Sequence, residues 1–158
     1  MNKSIRNALF CLPIILFITA FNACSKGGNK PAATKTELLT QKAWKIDKSG
    51  IDADKNGTID IADTWKSCNL DNTFLFIVGG AGNFDEGATK CTDTDPQTGY
   101  FDWAFKNQES MLTGNISQLG FSGDANISVL DTATLELNRD ITVQGYPSQV
   151  RYIFRFKH

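Results

Sequence analysis

Two hydrophobic patterns divide this chain. Near its start an apolar run from Ala8 to Phe21 follows the cations Lys3 and Arg6. Beyond Trp44, apolar and polar residues alternate in short stretches punctuated by Gly, Asn and Asp. Strict alternation puts successive side chains on opposite faces of an extended chain, so the second pattern predicts half-buried β-strands joined by tight turns. Phe74, Phe76 and Val78 share one face of such a strand, and Phe101, Trp103 and Phe105 share a face of another. In the last, Val150, Tyr152, Phe154 and Phe156 alternate with Arg151, Ile153, Arg155 and Lys157. Strands are expected near residues 43–49, 72–78, 82–86, 99–106, 110–116, 125–130, 132–139 and 148–157. The links Gly79-Gly80-Ala81-Gly82, Asn107-Gln108 and Asp131-Thr132 are short enough for hairpins, so sequential strands should pair antiparallel. The expected fold is all-β: an eight-stranded up-and-down antiparallel barrel, closed because closure removes exposed edges. A short N-terminal helix should precede it, with Thr36 as N-cap ahead of Glu37, Leu38 and Leu39.

The first pattern reads differently. A membrane helix needs about 20 apolar residues, and the run to Phe21 is shorter and contains Pro13, so residues 1–23 read as a cleaved export signal. The stretch Phe21-Asn22-Ala23-Cys24 resembles a bacterial lipobox, in which the cysteine becomes the acylated first residue of the mature chain. Ordinary cleavage with Cys24 left as a spare thiol is the plainer alternative, but a free thiol is out of place in an oxidising compartment. Palmitate-type chains on Cys24 would hold the protein firmly at a membrane, each buried methylene contributing about 0.8 kcal/mol. Residues 24–35, small, polar and broken by Gly and Pro, form the expected flexible tether, leaving 36–158 as the folded domain. The implied location is the cell envelope, lipid-anchored to the outer membrane and facing either the periplasm or the cell surface.

Composition narrows the partners. Sixteen basic against 17 acidic residues give a net charge of −1, and the signal removes Lys3 and Arg6. Such a mildly acidic chain without a Lys/Arg cluster lacks the footprint of a nucleic-acid binder. With Cys11 in the signal and Cys24 acylated, Cys68 and Cys91 remain as a natural disulfide pair. A metal on those two cysteines is disfavoured, because there is no CxxC and the only histidine is the terminal His158.

Several of these residues carry a family likeness. Leu38-Leu39 leads to Lys42-Ala43-Trp44-Lys45, an acidic insert spans 52–63, and CNLDN at 68–72 precedes the Phe74 strand. Glu86-Gly87-Ala88-Thr89-Lys90-Cys91 and the strand from Gly99 to Trp103 follow. In this order the chain resembles, over about 37–158, the lipocalin-like domain of exported lipoproteins of Gram-negative bacteria. The resemblance implies an eight-stranded barrel or half-open calyx. In lipocalins proper a Gly-x-Trp motif opens the first strand and an arginine stacks on its tryptophan; here Trp44 is present without the glycine, and Arg151 or Arg155 would supply the cation. A monomer that binds a small apolar molecule through Trp44, Phe74, Phe76, Phe101, Trp103, Phe105, Tyr152 and Phe154 is then the expectation. Core packing is the alternative use of the same stripe, because eight strands enclose either side chains or one small ligand.

One local motif points to chemistry. Asp52, Asp54, Asn56, Thr58, Asp60 and Asp63 stand at positions 1, 3, 5, 7, 9 and 12 of a calcium-loop pattern, with Gly57 at the turn. Position 12 is Asp rather than the longer Glu, and a strand rather than a helix precedes the loop, so weak Ca²⁺ binding in a hairpin insert is expected. A bare, solvated turn is the alternative. Signatures of catalysis are missing: no nucleophile has a neighbouring histidine and no phosphate-binding glycine motif occurs, so the domain is read as no enzyme. A non-enzymatic interaction module of the cell envelope, with the Ca²⁺ loop stiffening a contact face, is the competing function. An exposed aromatic patch around Trp65, Phe121 or Tyr146 would favour it.

Overall fold

The computed structural model describes residues 31–158. The expected signal at 1–23, acylation at Cys24 and most of the 24–35 tether lie outside the described residues. Among those described, no helix is long and apolar enough to cross a membrane.

Helix α1 spans Lys35–Thr40. It begins earlier than the Thr36 expectation because Thr34 and Glu37 form a reciprocal capping box: the Thr34 hydroxyl accepts from Glu37 N at 3.2 Å, and the Glu37 carboxylate accepts from Thr34 N at 2.7 Å. Lys35 therefore belongs to the helix rather than to the tether.

Nine strands follow: β1 (Lys45–Asp52), β2 (Ile61–Ala62), β3 (Thr73–Phe76), β4 (Ala81–Asp85), β5 (Thr98–Lys106), β6 (Met111–Ile116), β7 (Phe121–Leu130), β8 (Thr134–Ile141) and β9 (Val150–Lys157). They make one antiparallel up-and-down sheet in the order β2-β1-β9-β8-β7-β6-β5-β4-β3. The all-β antiparallel expectation holds, but the count is nine rather than eight and the ladder is not closed into a barrel. Each expected strand has a counterpart, and β2 is the addition. It pairs with β1 at Gly50, where an added Cβ would stand 2.2 Å from Ile61 O, so only a glycine lets the two backbones approach this closely. At the other edge a single isolated bridge sets Trp44 opposite Phe74, with N···O distances of 2.9 and 2.8 Å.

Because successive strands run antiparallel, their connections sort into two ends. Helix α1, the β3–β4, β5–β6 and β7–β8 turns and the C-terminus share one, the helix end; Lys35 Nζ, on α1, donates to Glu109 O in the β5–β6 turn at 2.6 Å. The Asp-rich insert after β1, helix α2 (Ser67–Leu70), the loop between β4 and β5 and the β8–β9 loop share the other, the loop end. A disulfide between Cys68 and Cys91 ties α2 to the β4–β5 loop.

One face of the sheet is lined by aromatic and aliphatic side chains. Phe154 and Phe156 of β9 stand opposite Leu137 and Leu135 of β8, and all four are buried. Phe74, Phe76, Phe84, Leu112 and Phe121 continue this core, and Leu39 of α1 is buried with it.

Candidate functional site

Six of the eight residues expected to contact a ligand are buried in the core: Trp44, Phe74, Phe76, Phe101, Trp103 and Phe154. Phe105 and Tyr152 are half-buried at its margin. The rings touch one another edge-on: Phe76 meets Phe101 at 5.2 Å and Trp103 at 5.7 Å between centroids, and Phe154 meets Phe121 at 5.7 Å and Tyr152 at 4.8 Å. Such contacts favour a fixed packing. Trp44, Phe74 and Phe76 have 0–1% of their surface exposed, so almost none of it is open to water. Openings appear elsewhere. A cleft of about 260 Å³ is lined by Thr73, Leu75, Asn83, Asp85 and Tyr100 among others, and a shallow one of about 340 Å³ by Trp103, Thr113, Gly114 and Asn115.

Trp44 does not receive an arginine. Arg155 is engaged by Glu136 and Arg151 by Asp140, and the ring stacked on Trp44 is that of His158, with centroids 3.7 Å apart. His158 Nδ1 also lies 3.0 Å from Ala43 O, and Trp44 Nε1 donates to Leu39 O at 2.8 Å. The final residue and α1 thus seal the helix end around one indole. The expected aromatic surface patch is not formed at the three named positions: Phe121 is buried, and Trp65 and Tyr146 are half-buried. Tyr100, 87% exposed, is the aromatic that stands in solvent.

The Asp-rich insert folds as a tight loop on the end of β1. Asp52 is buried and accepts from Asn56 N at 3.0 Å and Gly57 N at 2.8 Å; Asp54 accepts from Asn56 N at 3.1 Å; Asp60 accepts from Ala53 N at 2.8 Å. One carboxylate oxygen from each of Asp52, Asp54 and Asp60 lies within 4.8 Å of the others. Asn56 bonds within the loop, its Oδ1 accepting from Thr58 N at 2.7 Å. Lys55 Nζ turns to Asp140 at 2.7 Å, which holds the Asp140 carboxyl below the usual carboxylate range. Three of the six expected ligands therefore gather their carboxylates.

Asp63 is used differently. Its Oδ2 accepts from both the Ser49 and the Tyr152 hydroxyls, and Trp65 Nε1 donates to Ser49 Oγ at 3.0 Å. This cluster staples the far side of the insert to β1 and β9, a role sequence spacing could not show because Tyr152 is 89 residues away. Burial, reinforced by the Asp63 carboxylate, pushes the Tyr152 phenol from 10.0 to about 12. A raised folded-state value means the protein holds this proton more tightly than the unfolded chain does. The associated stability is complete below pH 10 and disappears as pH rises through 12. Discounted for the partial exposure of the ring, it amounts to roughly 1–2 kcal/mol. In alkaline unfolding titrations Tyr152→Phe should lose the wild-type decline between pH 10 and 12; an identical slope in both proteins would remove Asp63 and burial as its cause.

Comparison with protein-family models and with curated proteins yields no match.

Proposed function

We propose that this chain is a lipid-anchored, non-enzymatic protein of the cell envelope, a lipocalin-like barrel that binds a small apolar molecule at its loop end. Export and anchoring rest on the apolar run to Phe21 and on Cys24. Barrel closure is favoured by the Trp44–Phe74 bridge, which joins the residue before β1 to the opposite edge strand; a closed ring on this reading would take eight strands and leave β2 as an outlying addition.

The observation that carries the binding site is the contrast along the aromatic wall. At the helix end Trp44 leaves no room, whereas at the loop end Tyr152 stays half-buried, its ring packed on the buried Phe154, which in turn meets Phe121. Tyr152 then stands at the mouth of the site, and Trp44, Phe74, Phe76 and Phe154 belong to the buried core behind it.

A competing reading is favoured by the Asp52, Asp54 and Asp60 carboxylates. Three hard oxygen donors with Gly57 at the turn suit a weakly held Ca²⁺ that stiffens the loop end as a contact face for another envelope component. One set of titrations separates the two. Full-length lipoprotein in detergent, titrated with the neutral fluorophore N-phenyl-1-naphthylamine, should enhance its emission at micromolar concentrations, and a co-purifying small molecule should appear in its native mass spectrum. No enhancement and no adduct, together with a rise in melting temperature at millimolar Ca²⁺, would replace the first reading by the second.

A further inference from the structure

The two clefts lie along the outward side of one strand. On β5 the buried Phe101 and Trp103 alternate with Tyr100, Asp102 and Ala104, so these three point away from the core. Tyr100 lines the cleft of about 260 Å³, and Asp102, the next residue on that face, lines the one of about 340 Å³. The exposed tyrosine therefore stands at the boundary between them. In the first cleft Leu75 and Asn83 are in register with Tyr100, and Thr73 and Asp85 with Thr98. Thr113 and Asn115 of β6 line the second.

Both clefts are open to solvent, since Asn83, Thr98, Tyr100, Asp102 and Asn115 are all exposed. Neither is lined by a lysine or an arginine, and Lys106, further along the same face, is held by Asp124 at 2.8 Å. Asp85 and Asp102 repel an anionic ligand. Asp85 Oδ1 already accepts from Gly87 N at 2.7 Å and Gln97 Nε2 at 3.2 Å, so the donors and acceptors left to a guest are mainly amides and hydroxyls. Those groups both donate and accept, as the hydroxyls of a sugar do. A single exposed aromatic is ordinary on a protein surface. One placed between two polar clefts offers more, because the negative face of its ring attracts the C–H side of a pyranose while the flanking groups reach the hydroxyl rim.

We propose that the furrow along β5 binds a neutral oligosaccharide, with one sugar ring stacked on Tyr100 and its neighbours hydrogen-bonded by Asn83 in one cleft and Asn115 in the other. The site lies on the side of the sheet away from the aromatic core, so it stands whether or not the barrel holds an apolar guest.

Calorimetric titration of full-length lipoprotein, in a detergent without a sugar head group, with cellohexaose, mannohexaose and maltohexaose tests it. At least one should bind with a Kd of about 0.1–1 mM, the range expected of one stacking platform and a few exposed hydrogen bonds. The matching disaccharide, which reaches only one cleft, should bind about tenfold more weakly. Tyr100→Ala should weaken the hexasaccharide by about tenfold or more at an unchanged melting temperature, because the side chain is 87% exposed. Tyr100→Phe keeps the stacking face and should stay within about twofold of wild type. No heat with any of the three sugars at about 5 mM, or undiminished binding by Tyr100→Ala, overturns the proposal. Equal affinity for disaccharide and hexasaccharide overturns the continuous furrow, and binding of the anionic hexagalacturonate or the cation spermine in place of the neutral sugars overturns the ligand class.

Discussion

Replacing Trp44 by Ala is expected to cost about 4 kcal/mol of unfolding free energy, the range observed when a fully buried tryptophan is emptied from a core. The indole has none of its surface exposed, so its removal leaves a void that Phe74 and Leu39 can fill only by abandoning their own packing. Two further losses fall on the same residue. Leu39 O loses the hydrogen bond from Trp44 Nε1, and His158 loses the ring against which it stacks. Because the Trp44–Phe74 bridge is the only backbone pairing among the described residues that reaches across the open ladder, loosening it should also raise hydrogen exchange in β3. Urea denaturation measures the effect directly. Tyr100→Ala, at an 87% exposed position, serves as control and should change stability by less than about 0.5 kcal/mol. A Trp44→Ala protein as stable as that control would mean that α1 and the C-terminus do not close the domain.

Removing the Cys68–Cys91 disulfide, by Cys→Ala at both positions or by reduction, is expected to cost about 3 kcal/mol, since the bond closes a long loop in the unfolded chain. The loss should be uneven. Asp71 accepts from Ala88 N at 2.9 Å and Thr89 N at 3.0 Å, and Gly87 sits so close to Asp71 that an added Cβ would lie 2.7 Å from its carboxyl carbon. Those contacts hold the same two segments as the disulfide does, so the β4–β5 loop should stay near α2 after reduction but exchange its amides faster. Chemical denaturation in the presence and absence of reductant, followed by amide exchange, reads both effects. An unchanged denaturation midpoint on reduction would show that Asp71 and its neighbours suffice without the cross-link.

Strand positions were legible because alternation is written into the backbone itself: a side chain two residues on returns to the same face whatever it packs against. The same logic located the core face of β5 at Phe101 and Trp103 and of β9 at Phe154 and Phe156. It missed β2, whose two residues carry too short a pattern to show. It also began β7 four residues late, near 125 instead of Phe121, because Ser122, Gly123 and Asp124 are all exposed and break the alternation. Within the insert, a spacing rule grouped Asp63 with Asp52, Asp54 and Asp60, but the chain turns back onto β1 at β2 and carries Asp63 to Tyr152 instead.

Arg139 and His158 mark the same boundary. Neither stands in a recognisable motif, and each acquires its surroundings from strands or a helix distant in sequence: Phe121 and Tyr152 for the first, Trp44 for the second. The amino-acid order by itself determined eight of the nine strands, which of their faces is apolar and which cysteines pair, because each follows from local periodicity or from the small number of thiols. Only the tertiary structure decided which of the described arginines face a carboxylate, which ring covers Trp44 and where Asp63 goes. Those outcomes depend on cross-strand register and on the open edges of the sheet, which bring together residues that no local spacing relates.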